Sequence, residues 1–134
     1  MANLDYPVSL RYSSDHEWVE TTENSAVVRV GITDFAQEQL GDVVYVDLPD
    51  VGETTTAGES CGEVESTKSV SELIAPVSGT ITEVNEGLDD TPEAVNTSPF
   101  KDGWMYLVEL SDPEQIEALM DSEQYQELIQ SEEA

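Results

Sequence analysis

Basic side chains are nearly absent from this sequence. Arg11, Arg29, Lys68 and Lys101 are the only four, against thirty Asp and Glu residues, and the formal net charge is -26 at pH 7. Proteins that bind the phosphate backbone of nucleic acids need clustered Lys and Arg, and so do segments that bind anionic lipid surfaces. The composition therefore excludes a nucleic-acid binder and argues against a membrane-surface protein.

Cysteine and histidine occur once each, as Cys61 and His16. A single cysteine forms no intramolecular disulfide, and we expect Cys61 to be a small buried side chain. We expect His16 to be a structural histidine in a strand. With no second histidine, no cysteine pair and no acidic cluster at ligand spacing, the sequence predicts neither a metal site nor a catalytic dyad.

Long apolar runs are also missing. No stretch approaches the ~18 apolar residues of a membrane-spanning helix, and residues Met1–Pro7 have neither the basic nor the apolar region of a secretory signal. A chain of 134 residues is typical of one compact domain, which we expect to span residues 1–134. These features predict a soluble, cytoplasmic protein.

The acid excess has two physical interpretations. A strongly acidic carrier protein would be steered towards basic patches on larger enzymes. A strongly acidic surface also suits a salty cytoplasm, because a Debye length of ~3 Å at about 1 M salt screens the repulsion between carboxylates. Composition alone does not choose between them.

Short segments rich in β-formers make up most of the chain and predict a mainly β fold. The predicted strands outside the Lys68 region are His16–Glu20, Ala26–Ile32, Val43–Leu48, Val77–Val84 and Trp104–Leu110. A short helix, capped by Asp34 and ended by Gly41, is predicted after the second of these. Residues Asn85–Asp102 are predicted to be a long loop.

The C-terminal part of the chain changes to a helical pattern, predicted at about residues 112–130. Asp112 is placed as an N-cap, with Gln115 as its partner in a capping box. Asp121 and Gln124 repeat that arrangement. Apolar side chains recur at helical spacing after each cap and are expected to face the core.

Lys68 lies at the apex of a predicted hairpin between two short strands, whereas Lys101 lies in an ordinary loop. The small hydroxyl residues Thr67 and Ser69 leave the apex lysine unobstructed. Spacing alone favours an ordinary solvated turn lysine.

The residues around Lys68 nevertheless resemble the hairpin of lipoyl-accepting domains. Glu65-Ser66-Thr67-Lys68 matches their Glu-Ser-x-Lys pattern, and Ala75-Pro76-Val77-Ser78-Gly79 resembles their returning strand. Biotin carriers typically have Met on both sides of the lysine. Thr67 and Ser69 occupy those positions here, so lipoate is favoured over biotin.

Further stretches narrow the resemblance to the glycine cleavage H-proteins, and it extends from about Leu10 to Tyr125. These stretches are Asp15-His16-Glu17-Trp18, Val30–Gln37, Leu40–Pro49, Val84–Leu88, Val95–Phe100 and Asp102-Gly103-Trp104. The resemblance implies a hammerhead, or barrel-sandwich hybrid, of two small antiparallel sheets. A lipoyl-lysine hairpin would protrude from it, and helices would follow at the C-terminus.

The resemblance also implies a non-catalytic carrier with (R)-lipoate amide-linked to Lys68, since the cofactor carries the chemistry. In the family, the arm moves the aminomethyl group of glycine from the decarboxylating glycine dehydrogenase to aminomethyltransferase, and electrons to dihydrolipoamide dehydrogenase. A lipoate ligase or a lipoyl/octanoyl transferase would attach the cofactor. We expect a monomer.

By position, the resemblance makes Glu17, Asp15 and Glu72 candidate contacts of the arm. Phe35 stands where some members have a histidine, so a ring there would shield the arm without a hydrogen bond. The hairpin residues expected to be recognised during modification are Glu65, Ser66, Thr67 and Ser69. Two alternatives remain: a similar lipoyl carrier for lipoate relay or sulfur oxidation, and an unmodified interaction module.

Overall fold

The computed structural model describes residues 6–23 and 26–133, which form a mainly β fold with C-terminal helices. The strands of this described part are β1 (Arg11–Tyr12), β2 (Glu17–Thr21), β3 (Val27–Ile32), β4 (Val43–Asp47), β5 (Thr54–Thr55), β6 (Ser60–Ser66), β7 (Val70–Ile74), β8 (Gly79–Val84) and β9 (Tyr106–Leu110). The α-helices are α1 (Asp34–Leu40), α2 (Gly87–Asp90), α3 (Ala94–Thr97) and α4 (Ser122–Glu133), with a 3-10 helix at Pro113–Ile116.

Every strand pair is antiparallel, and the strands form two sheets. The larger sheet has the order β1-β2-β3-β9-β8-β5, and the smaller has the order β4-β6-β7. The predicted architecture of two antiparallel sheets with a C-terminal helix is therefore confirmed. The β6–β7 hairpin belongs to the smaller sheet and carries Lys68 at its tip.

Apolar side chains from both sheets fill one common core. Val30, Ile81 and Val108 come from the larger sheet, Val64 and Leu73 come from the smaller one, and all five are buried. Burying a side chain of this size stabilises the fold by roughly 1.5–3 kcal/mol. This packing fixes the base of the β6–β7 hairpin against the rest of the molecule.

A second, largely aromatic cluster attaches α1 and α4 to the edge of the larger sheet. The rings of Tyr12 (β1) and Tyr125 (α4) stack with their centroids 4.7 Å apart and an interplanar angle of 6°. Phe35 from α1 and Ile129 from α4 are buried in the same cluster. The predicted core-facing stripe of the last helix is thereby accounted for.

Helix α1 begins one residue earlier than predicted. Thr33 is the N-cap, and its Oγ1 accepts a hydrogen bond from the Ala36 amide at 3.2 Å. Asp34 is instead the first residue of the helix, so its assignment as the cap was wrong. Gly41 ends the helix as predicted: its φ is 81° and its amide donates to the Gln37 carbonyl at 3.0 Å.

The stretch predicted to be a long loop contains helices α2 and α3, so that prediction was wrong. Neither helix has a side-chain N-cap hydrogen bond. Each buries one apolar side chain, Leu88 in α2 and Val95 in α3. Packing against the core, and not local capping, holds these single turns. The following strand also begins later than predicted, at Tyr106.

The helical segment predicted at about 112–130 is divided into two elements. Asp112 caps the 3-10 helix by accepting a hydrogen bond from the Glu114 amide at 3.1 Å. The capping-box role expected of Gln115 was wrong, because its Oε1 accepts from the Ser78 amide at 2.6 Å instead. That contact ties the 3-10 helix to the start of β8.

Helix α4 has the reciprocal cap that the sequence predicted. The Asp121 amide donates to Gln124 Oε1 at 3.0 Å, and the Gln124 amide donates to Asp121 Oδ1 at 2.9 Å. In the part of the chain that the structure describes, no helix has the length and apolar character needed to cross a membrane.

Candidate functional site

Lys68 lies in the turn of the β6–β7 hairpin, and its side chain is exposed. The Ser66 amide donates to the Ser69 carbonyl at 2.8 Å and closes the turn. The Ser66 hydroxyl oxygen accepts from the amides of Lys68 at 3.2 Å and Ser69 at 3.1 Å. One serine thus satisfies the turn backbone, which fixes the lysine Cα while its side chain stays free.

The segment after helix α1 supports this turn from below. The Thr67 amide donates to the Asp42 carbonyl at 3.0 Å. The aliphatic part of Lys68 lies over Gly41, since a Cβ on that glycine would be only 3.0 Å from Lys68 Cε. Gly41 therefore both ends α1 and lies in contact with the lysine side chain.

A cleft of about 660 Å³ opens beside the hairpin and begins at Ser69, the residue after Lys68. Its apolar walls include Ile32, Leu40 and Val64. Its polar lining consists of hydroxyl and carboxyl groups together with the His16 ring and the Gln39 amide. The cleft therefore offers both an apolar surface and polar partners within reach of the hairpin tip.

The four arm contacts predicted from the resemblance all line this one cleft: Asp15, Glu17, Phe35 and Glu72. Phe35 and Glu17 are buried, whereas Asp15 and Glu72 are exposed. Three chain segments that are far apart in sequence bring them together. Their contact with an arm stays a prediction, as does recognition of the hairpin through Glu65, Ser66, Thr67 and Ser69.

Glu17 is only 2% exposed, and both of its carboxylate oxygens are hydrogen-bonded. Oε1 accepts from the Ser13 hydroxyl at 2.9 Å, and Oε2 accepts from the Ile74 amide at 3.0 Å. Burial raises the pKa of Glu17 to about 8; the two hydrogen bonds oppose this rise, and the nearby Asp15 charge adds to it. Below that pKa the neutral acid predominates, so the cleft holds a carboxyl group able to lose or keep its proton near neutrality.

His16 lies before β2 and not in a strand, which corrects the sequence expectation, and its φ is 70°. Its Nδ1 is 2.9 Å from the Tyr125 hydroxyl, which is in turn 2.7 Å from Thr33 Oγ1. The His16 ring also packs against Phe35 with the ring centroids 5.0 Å apart. Helix α4 is thereby connected to the wall of the cleft.

Asn96, on α3, is a site residue that the sequence did not single out. Its side chain makes three hydrogen bonds, two with the backbone of the segment that supports the hairpin turn and one with Gln37 in α1. The partners lie more than fifty positions away along the chain, so no local pattern identifies them. The only available signal was its place in the Val95–Phe100 stretch that carried the family resemblance.

Comparison with known proteins places the chain in a family. The sequence profile described as "Glycine cleavage H-protein" matches residues 10–132. The chain belongs to the glycine cleavage H-protein family.

Curated relatives of the family match over nearly the whole chain. The glycine cleavage system H protein of Anaeromyxobacter sp. (strain K) is 55% identical over 130 residues, covering 97% of this chain and 100% of the relative. That of Bacillus subtilis (strain 168) is 54% identical over 127 residues, covering 95% and 98%. A glycine cleavage system H protein from Mycobacterium marinum, known from a crystal structure, is 48% identical with a TM-score of 0.81, covering 89% of this chain and 94% of that one. These matches do not favour the alternative pathways or the unmodified module.

Two further features bear on the chemistry of this family member: its single cysteine and the arrangement of its acidic side chains. Cys61 is half-buried, and its thiol donates to the Tyr106 hydroxyl at 3.6 Å. Burial raises the pKa of the Cys61 thiol, which disfavours the reactive thiolate. Across the described residues, no three His, Cys, Asp or Glu side chains are placed to hold a metal ion.

Proposed function

We propose that this chain is the lipoyl carrier of a glycine cleavage system, with (R)-lipoate joined by an amide bond to Lys68. The observation that carries the proposal is the position of Lys68: exposed, on a turn fixed by Ser66, and one residue from the cleft of about 660 Å³. Family membership supplies the chemical role.

The residues present fit the cofactor. Within the described residues no ion pair involves Lys68, so its amine is available for acylation. The apolar walls of the cleft suit an aliphatic chain, and its polar groups suit an amide. Bound lipoate would supply a disulfide whose sulfur atoms accept and release the aminomethyl group and electrons.

The chain's own residues would bind, shield and orient the lipoyl arm. Phe35 and Leu40 would exclude water from an occupied cleft. A cationic amine that entered beside Glu17 would favour the ionised carboxylate and lower its pKa. Glu17 would then release a proton as it formed a charge-assisted hydrogen bond, with Asp15 and Glu72 adding negative charge at the exposed rim.

The proposed partners are the decarboxylating glycine dehydrogenase, aminomethyltransferase, dihydrolipoamide dehydrogenase and the enzyme that attaches lipoate. A net charge of -26 would speed encounter with basic docking faces on these enzymes. Tethering the arm to a protein replaces free diffusion with a high effective concentration at each site. The proposed location is the cytoplasm.

The test uses the two lysines of the chain as a matched pair. Co-production with a lipoate ligase and lipoate, followed by intact-mass analysis and peptide mapping, should show one lipoyl increment on the Lys68 peptide. Lys101→Arg should keep the increment, and Lys68→Arg should fold but gain none and fail to support glycine–bicarbonate exchange. A folded wild-type chain left unmodified by an active ligase would overturn the proposal.

A further inference from the structure

The side chain of Asn96 bonds to the backbone on both sides of Asp42. Its Oδ1 accepts a hydrogen bond from the Val43 amide at 2.8 Å. Its Nδ2 donates to the Gly41 carbonyl at 2.9 Å and to Gln37 Oε1, also at 2.9 Å. Two of these bonds hold the segment that joins the end of α1 to the start of β4, and the third goes to a side chain of α1 itself.

The orientation of this amide is fixed by its partners. A backbone N–H can only donate and a backbone carbonyl can only accept. The oxygen of Asn96 must therefore face Val43 and its nitrogen must face Gly41. Asp and Leu have the same shape, but neither satisfies both backbone groups at once: Asp lacks the donor, and Leu lacks both the donor and the acceptor.

The segment held by Asn96 is the one that supports the hairpin tip. The Asp42 carbonyl, between the two tethered groups, accepts from the Thr67 amide at 3.0 Å. Gly41 lies directly beneath the side chain of Lys68. Asn96 thus reaches the turn through two successive contacts without touching Lys68.

We infer that Asn96 is a positioning residue for Lys68, which holds the acceptor lysine in the place where the lipoate-attaching enzyme meets it. The inference rests on the proposed lipoylation of Lys68. The hairpin closes its own turn through Ser66, and the hydrogen bond from the Thr67 amide to the Asp42 carbonyl ties the tip of that turn to the segment after α1. Without the Asn96 tether, the modifying enzyme would have to order the tip when it binds.

Asn85 provides a matched control. It is also a half-buried asparagine, and its Nδ2 donates to two backbone carbonyls, those of Asp102 at 2.9 Å and Trp104 at 2.7 Å. Its truncation removes backbone-directed hydrogen bonds of the same kind, but in the loop after β8. Asn96→Asp is a graded second variant, because it keeps an acceptor for Val43 and loses both donors.

The experiment measures lipoylation kinetics of the unmodified chains with a purified lipoate ligase, at a temperature where unfolding curves show each variant folded. Asn96→Ala should raise the KM for the protein substrate about tenfold, with kcat little changed. The reason is that the tether orders the hairpin tip before the enzyme binds, and without it binding must supply that order. Asn96→Asp should give a smaller rise. Asn85→Ala should keep the wild-type KM.

Amide hydrogen exchange on the same proteins gives a readout independent of lipoylation. The Thr67 amide should exchange faster in Asn96→Ala, while the Ser66 amide, bonded within the turn, should not change. A wild-type KM in Asn96→Ala, or an equal rise in Asn85→Ala, would overturn the inference. Failure of the wild-type chain to accept lipoate would count against the proposed function instead, and the Thr67 exchange rate would still decide whether the tether acts on the tip.

Discussion

Glu17 and Ile74 join the two sheets through one hydrogen bond, from the Ile74 amide to Glu17 Oε2 at 3.0 Å. Glu17 begins β2 in the larger sheet, and Ile74 ends β7 at the edge of the smaller one. An edge strand presents unpaired backbone amides, and here a buried carboxyl group satisfies one of them. The same group lines the cleft, so stability and cleft chemistry depend on one side chain.

The first prediction concerns pH. Burial raises the pKa of Glu17 from 4.5 to about 8, so the folded chain holds a proton that the unfolded chain releases. The resulting stabilisation is complete below about pH 4.5 and is lost as pH rises to about 8. Glu17→Gln keeps the shape without the titration, and Gln Oε1 can still accept from Ile74.

Urea unfolding of both proteins between pH 5 and 8 checks this. The wild type should lose a few kcal/mol relative to Glu17→Gln across that range, whatever the other carboxylates contribute to both. Two parallel stability profiles would show that Glu17 does not titrate in this window.

The second prediction concerns Gly41. Its φ of 81° and ψ of -159° form a backbone conformation that is nearly exclusive to glycine and costs other residues roughly 1–3 kcal/mol. Gly41→Ala should pay that cost and also displace Lys68. Gly58→Ala, with φ 88° and open space around its Cβ, should be strained without affecting the lysine. Chemical unfolding and the NMR signals of Lys68 would separate the two effects; unchanged Lys68 signals in Gly41→Ala would contradict the contact.

The third prediction concerns the hydroxyl of Tyr125. Tyr125→Phe removes the group between His16 and Thr33 while keeping the ring stacked on Tyr12. We expect a loss of about 1–3 kcal/mol in unfolding free energy, since the hydrogen bonds of this hydroxyl with both His16 and Thr33 are lost. Tyr45→Phe removes an exposed hydroxyl and should change stability by less than about 0.5 kcal/mol. Equal effects in thermal melts would count against a connection between α4 and the cleft.

The fourth prediction concerns salt. Four basic residues cannot neutralise thirty acidic ones, and added salt screens the remaining repulsion. The melting temperature should rise when KCl is increased from about 0.1 M to about 1 M. A melting temperature independent of KCl would remove the support for adaptation to a salty cytoplasm.

Local chemistry made part of the fold predictable. Asp121 and Gln124 cap each other within four residues, and Gly41 ends a helix by its own conformational freedom, so both signals are readable from sequence. Helices α2 and α3 have no such signal, because Leu88 and Val95 stabilise them only through a core assembled from distant strands. The long-loop prediction failed for this reason.

The same difference between local signals and long-range packing separates the site residues that the sequence predicted from those that it did not. Lys68 and its serine neighbours form a local motif, and the sequence located them. The partners of Asn96, and the bond between Glu17 and Ile74 across 57 positions, depend on how the sheets and helices pack. Sequence reasoning named Glu17 through a family resemblance but gave no indication that it joins two sheets.

The left-handed backbone conformation of His16 limits which residues can occupy position 16 in this cleft. Successive side chains of an extended strand point to opposite faces, yet Asp15, His16 and Glu17 all line one cavity. The positive φ of His16 makes this possible, and among residues with a side chain only Asn, Asp and His adopt it readily. A β-branched residue at position 16 would be strained at this φ. The cleft wall is therefore encoded in a single backbone angle as much as in its acidic side chains.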